Sequence, residues 1–209
     1  MTSKRKALLL TACAVLLVVA SVFGTLAYLT DTESVKNVFT VGQIGLTLDE
    51  AKVNQMGERD GDIRWQPTTE DPEQEYHLLP GHTYVKDPKI TVDANSEDCY
   101  LFVVVANGLV GIEDESINIA AQLKANGWIA VNGVENTYVY VGTAAGATDP
   151  LAVSKNDVIH VFGQFKVDEA VNNTTLAAYA GKNVTVTAYA VQKDGFEGKS
   201  AAVIWDTAF

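Results

Sequence analysis

The run Cys99-Tyr100-Leu101-Phe102-Val103-Val104-Val105-Ala106 constrains this chain more than any other stretch, because it is apolar at every position. Side chains along a strand point alternately to opposite faces, so a half-buried strand alternates apolar with polar residues. A short run without alternation, rich in aromatic and β-branched residues, reads as a strand covered on both sides. Such a strand belongs at the centre of a sheet, with a packed layer on each face. Cys99, which opens the run, reads as a buried, inert thiol.

Other segments carry the period of half-buried strands. Phe39 and Val41 alternate with polar or small residues, and the apolar parity then flips to Ile44, Leu46 and Leu48. That flip implies a bulge or strand break around Gly42-Gln43. Further strand patterns cover 83–93, 128–132, 137–141, 157–167 and 183–192. Along 157–167, Ile159, Val161, Phe165 and Val167 share one face with Gly163 between them. In 183–192, Val184, Val186, Ala188 and Ala190 alternate with Thr185, Thr187 and Tyr189. Helical patterns are short: 115–125, 174–180 and 198–206. Residues 57–75 are acidic, hold Pro67 and Pro72, and show no periodicity, which predicts a surface loop. Many evenly spaced strands with helices in the connections predict a mainly all-β chain, an antiparallel β-sandwich.

The N-terminus has a different character. Lys4-Arg5-Lys6 is followed by an uncharged apolar stretch from Ala7 to Val22, then by Gly24-Thr25-Leu26-Ala27. A positive end, an apolar middle and small residues at the end make a signal helix, with cleavage expected between Ala27 and Tyr28. Two alternatives stay open. The uncharged stretch extends to Leu29, long enough to span a bilayer as an uncleaved anchor. Leu10-Thr11-Ala12-Cys13 loosely matches a lipoprotein box, although it sits at the wrong end of the apolar stretch. Positions 1–27 hold three basic residues and no acid, so the remainder is more acidic than the net −11 of the whole chain. Such a field repels nucleic acid and anionic headgroups. Cys13 falls inside the signal segment, so after cleavage Cys99 has no partner for an intramolecular disulfide. An exported domain of this kind relies on its core or on assembly with neighbours.

The block YLTDTESVKNVFTVGQIGLTLDE, residues 28–50, resembles the TasA/camelysin family of proteins exported by Gram-positive bacteria. The stretches LLPGHTYVKDPKITVDANSEDCYLFVVV (78–105), GWIAVNGVENTYVYVG (127–142), NVTVTAYAVQ (183–192) and the C-terminal FEGKSAAVIWDTAF resemble it as well, so the likeness covers most of the chain. It implies a jelly-roll-like sandwich, processing by a SipW-type signal peptidase, and a secreted role as a biofilm-matrix fibre or cell-surface subunit. It further implies a homopolymer built head to tail, each mature N-terminus entering the next subunit as a strand. The donor strand would run from Tyr28 to about Phe39, with Leu29, Val35, Val38 and Phe39 supplying its apolar side chains. It is only modestly hydrophobic, because Asp31, Glu33 and Lys36 lie within it.

Camelysin relatives are catalogued as metallo-endopeptidases, which makes a secreted protease the runner-up reading. A zinc protease normally offers H-E-x-x-H, two imidazoles on one helix face with a Glu base. The three histidines here, His77, His82 and His160, have no such spacing. There is no G-x-S-x-G nucleophile motif either. Asp60-Gly61-Asp62 and Glu113-Asp114-Glu115 carry oxygen ligands suited to Ca²⁺ but do not match the twelve-residue calcium loop. Asn172, Asn173 and Asn183 begin N-x-[ST] triplets and read as surface or strand polar residues. A third reading is a monomeric adhesion or sugar-binding module. For that role Trp65 is the best exposed aromatic, Tyr138 and Tyr140 are further candidates, and Trp128 and Trp205 read as core anchors. The expectation is therefore a secreted, non-enzymatic structural protein without catalytic residues, metal or cofactor.

Overall fold

A computed structural model describes residues 3, 13–17, 42–66 and 73–209. Two units are distinguished, Met1–Val41 and Gly42–Phe209. In the first, residues 13–17 are helical and Cys13 is exposed. The cleavage site at Ala27–Tyr28 and the donor segment Tyr28–Phe39 lie outside the described residues. Among those described, no helix is long and apolar enough to cross a membrane.

The second unit is β-rich and sandwich-like, and every described strand pairing is antiparallel. Its strands are β1 (Leu46–Val53), β2 (Arg59–Trp65), β3 (Thr83–Val85), β4 (Lys89–Val92), β5 (Cys99–Asn107), β6 (Trp128–Ala130), β7 (Thr137–Tyr140), β8 (Ala152–Val153), β9 (Val158–His160), β10 (Gln164–Lys166) and β11 (Val184–Gln192). Three short helices sit in the connections or at the end: α1 (Ile119–Ala125), α2 (Asn173–Ala177) and α3 (Ala201–Ala208). One sheet has the order β2-β1-β4-β9, a second β11-β5-β7-β6 with β8 also on β5, and β10 and β3 form a two-stranded third.

The apolar run is the centre of the second sheet. Cys99, Leu101, Val103 and Val105 face the core between the sheets, with Ile90, Val92, Trp128 and Phe165. Tyr100 and Phe102 face the other way and pack with Val139, Val191 and Ile204, the last from α3. Both faces of β5 are thus covered, which explains why its sequence shows no alternation.

The segments 83–93 and 157–167, each expected as one strand, are each interrupted. Yet β3 pairs β10 in the same register as β4 pairs β9: Val85 lies opposite Gln164, and Lys89 opposite His160. Backbone bonds from Lys86 N–H to Gly163 O and from Val161 N–H to Pro88 O keep the pairing continuous up to the break. Pro88 has no N–H to donate, and Gly163 N–H turns to the Gln122 side chain, so the ladder loses a bond at each of these two positions.

One expectation needs correcting. Within the stretch 57–75, Arg59–Trp65 is not loop but strand β2, paired with β1. Five of its seven residues are exposed, so it carries no buried-face pattern. Glu50 lies opposite Trp65, Ala51 opposite Arg64, and Val53 opposite Arg59, which leaves Asp60–Ile63 bulged out. Gly61 takes a left-handed conformation in that bulge. What holds the strand is charge: Arg59 and Arg64 both donate to Asp87, at 2.6 and 2.9 Å, and Arg64 Nε also donates to Asp49 at 2.7 Å.

Candidate functional site

The two sides of the sandwich differ. Where β9 and β6 form the sheet edges, side chains tie the sheets together. Trp128 Nε1–H donates to His160 O at 2.8 Å and Asn126 Nδ2 to Val161 O at 3.1 Å. The Gln122 carboxamide, on α1, accepts from Gly163 N–H and donates to Gln164 O. That side is closed.

The other side is open and holds a groove of about 560 Å³. Leu48, Tyr76, Leu109, Phe165, Val184 and Val186 line its apolar part, while Glu73, Glu75 and Lys182 line its polar part. Two sheet edges meet there. Gly108 N–H donates to Asn183 O, and Lys193 N–H to Asp98 O, which fixes the parity of the β11–β5 ladder. Main-chain groups of antiparallel pairs point alternately inward and outward. Those of Val184, Val186, Ala188 and Ala190 therefore point away from β5. On β1, Asp93 N–H donates to Gly45 O, so Leu46 and Leu48 direct their main-chain groups away from β4. Among the described residues, β2 begins only opposite Glu50, and neither Leu46 nor Leu48 has a strand neighbour on that side.

Residues 73–79 cross this region without being part of a strand, held instead by side chains. The Gln74 carboxamide accepts from Val53 N–H and donates to Ala51 O, standing in for the peptide group of a missing neighbour of β1. Tyr76 Oη donates to Val85 O. Tyr84 Oη donates to His77 O and accepts from Leu79 N–H, and its ring stacks on Phe165 at 5.1 Å. Burial first, then the carboxylates of Glu50 and Asp87, push the Tyr76 phenol well above its ordinary range, so it stays a neutral donor. Beneath it Lys86 pairs with Glu50 at 2.9 Å, both side chains nearly buried.

The sequence-derived candidates scatter. His77 and His160 are exposed, while the His82 ring nitrogen Nε2 contacts Met56 O at 2.8 Å. Among the described residues no group of three or more His, Cys, Asp or Glu side chains is placed to hold a metal ion. Glu113 and Asp114 are engaged by neighbouring protein groups, while Glu115 is exposed. Glu113 accepts from Asn107 and from Ile119 N–H at the start of α1. Asp114 accepts from Ser116 and Lys166, whose hydrogen bonds hold its carboxyl well below the usual range. Asp60 and Asp62 are exposed on the bulge. Asn172 caps α2 by accepting from Thr175 N–H. Trp65 is not the exposed aromatic expected: it is half-buried and lines the groove. Trp128 is a core anchor, whereas Trp205 is partly buried, in a ring cluster with Phe102, Tyr189 and Phe209. Tyr138 and Tyr140 are partly buried against the core.

No family model, curated protein or solved structure matches this chain.

Gln74, Tyr76, Lys86 and Glu50 were not singled out by sequence reasoning. Gln74 and Tyr76 lie in a stretch without periodicity, and Lys86 and Glu50 read as ordinary polar strand residues. No local pattern announces that they meet.

Proposed function

We propose that this chain is a secreted, non-enzymatic structural subunit of the TasA/camelysin type, with jelly-roll connectivity, that builds extracellular fibres or a cell-surface layer. Its partner is a second copy of itself. A SipW-type peptidase cuts after Ala27, and the freed Tyr28–Phe39 segment docks as a strand on the next subunit. The observation that supports this reading is the asymmetry of the sandwich: one side tied shut by Trp128 and Asn126, the other a groove between two sheet edges that have no strand neighbour there among the described residues. Strand addition suits such a place, because main-chain bonds supply affinity and an apolar floor selects alternate side chains. Contact between the terminus of one copy and the groove of another is heterologous, and when it does not close it makes an open filament.

Electron microscopy of the purified chain beginning at Tyr28 tests this. Filaments are expected that disappear when residues 28–38 are deleted and do not form when residues 1–27 are retained. Compact monomers over a wide range of concentration, pH and salt would sink the reading. Zinc-dependent cleavage of casein would replace it with the protease.

A further inference from the structure

Three polar side chains lining the groove meet at one carboxylate. The Lys86 ammonium donates to both oxygens of Glu50, at 3.2 Å to Oε1 and 2.9 Å to Oε2. The Gln74 carboxamide donates Nε2–H to that same Oε1 at 2.9 Å. The carbonyl oxygen of Gln74 accepts the Val53 N–H at 2.8 Å. Little water reaches the pair: the Lys86 side chain is 12% exposed and that of Glu50 9%. The Tyr76 ring lies 6.0 Å from Nζ and packs edge-on against Phe165.

These contacts assign roles. Once it gives up a proton, Lys86 Nζ would be the nucleophile, and Glu50 touches both that nitrogen and the nitrogen that would leave. The Val53 N–H sits on the oxygen where negative charge would develop. A carboxylate shared by nucleophile and leaving group can carry a proton from one to the other. A fixed N–H donor stabilises the tetrahedral oxyanion. Holding all of them in one folded frame supplies the effective concentration that a free lysine and glutamine lack.

We propose that Lys86 and Gln74 join spontaneously in an intramolecular isopeptide bond, with Glu50 as the proton carrier. Glu50 takes a proton from the Lys86 ammonium, and the neutral Nζ attacks Cδ of Gln74. The Cδ=O electron pair moves onto Oε1, held by Val53 N–H. As the intermediate collapses, the Cδ–Nε2 bond breaks and Glu50 returns its proton to the departing nitrogen. Ammonia leaves and takes up the remaining proton from Nζ. In balance, one ammonium and one primary carboxamide become one secondary amide and one ammonium ion, with no oxidant, metal or cofactor.

The bond would fasten the 73–79 segment to the break between β3 and β4. It gives a covalent tie to a chain whose two cysteines are both free thiols. The inference does not depend on strand donation.

Mass spectrometry of the intact, folded full-length chain after prolonged incubation at neutral pH is the test. The expected mass is one ammonia below the sequence mass, with fragmentation placing a branched link between residues 74 and 86. Chain kept in urea from synthesis onward should retain its full mass, because only the fold assembles the site. Lys86→Arg, which keeps the charge, should fold and show no loss. Glu50→Gln, which keeps the shape, should form the bond at least tenfold more slowly. A folded wild-type chain that keeps its full mass, or loses ammonia elsewhere, overturns the proposal. So does bond formation at the wild-type rate in Glu50→Gln.

Discussion

The Arg64 guanidinium meets Asp87 twice, donating Nη1–H to the carboxylate at 2.9 Å and Nη2–H to the main-chain carbonyl at 3.1 Å. Asp87 sits at the break between β3 and β4, and Arg64 near the end of β2 beyond the bulge. Arg59, from the other end of the bulge, reaches the same carboxylate oxygen, and Ala51 N–H donates to the second oxygen. One buried acid therefore holds both ends of an edge strand that has almost no buried face. Burial alone would raise the Asp87 carboxyl. The Ala51 N–H and the two guanidinium groups outweigh it and hold the group below its ordinary value.

Asp87→Asn should therefore destabilise the domain by about 2–3 kcal/mol, at or below the range for breaking buried pairs because Arg59 is half exposed. The folded carboxyl is the stronger acid, so its contribution is complete above the unfolded value of about 3.9 and fades as pH falls through the folded value. Urea unfolding of both proteins checks this. Their stability difference should hold from about pH 7 to 5 and shrink below about pH 4. A difference unchanged down to about pH 2 would show that the charge is not what matters.

Trp128 reports on the closed side. Trp128→Phe keeps a ring in the core but removes the bond to His160 O, whose exposed residue lets water replace it. The cost should be about 1–2 kcal/mol. Hydrogen exchange at Val161, whose N–H bonds Pro88 O across the same ladder, should quicken while the β5 amides hold. Equal acceleration everywhere would refute a local role.

Cys99 is fully buried at the start of β5, and burial first, then Asp98 and Asp157, push its thiol up to about 11. Iodoacetamide at about pH 8 should leave it unlabelled in the native protein, since the thiolate is the reactive form. Peptide-resolved labelling should begin only across the urea transition. Rapid native labelling would mean that β5 opens locally.

The outward parity of β11 separates two neighbouring prolines. Ala188→Pro removes a donor that points away from β5, which edge strands tolerate. Thr187→Pro removes a donor that pairs with β5 and should unfold the sheet edge. The first variant should melt cooperatively within about 2 kcal/mol of wild type yet make no filaments. Filaments from a folded Ala188→Pro protein would exclude β11 as the docking edge.

The main strands were legible because their side-chain pattern is set by local burial. Residues 83–93 and 157–167 carry the strand pattern, but the break that splits each of them comes from Pro88 and from the Gln122 side chain on Gly163, which the pattern does not show. The sequence predicts a loop over Arg59–Trp65 for a physical reason: ion pairs, not an apolar face, make it a strand.

The sequence by itself determined the central, doubly covered β5, because eight successive apolar residues cannot be hidden any other way. It also determined the alternating faces of β11 and the burial of Cys99. Only the tertiary structure decided which edges lack a strand neighbour among the described residues, and that Gln74 and Lys86 meet at one carboxylate oxygen of Glu50. Glu50 and Lys86 stand 36 positions apart. Contact over that separation depends on strand order and register, and neither is written in any local stretch of residues.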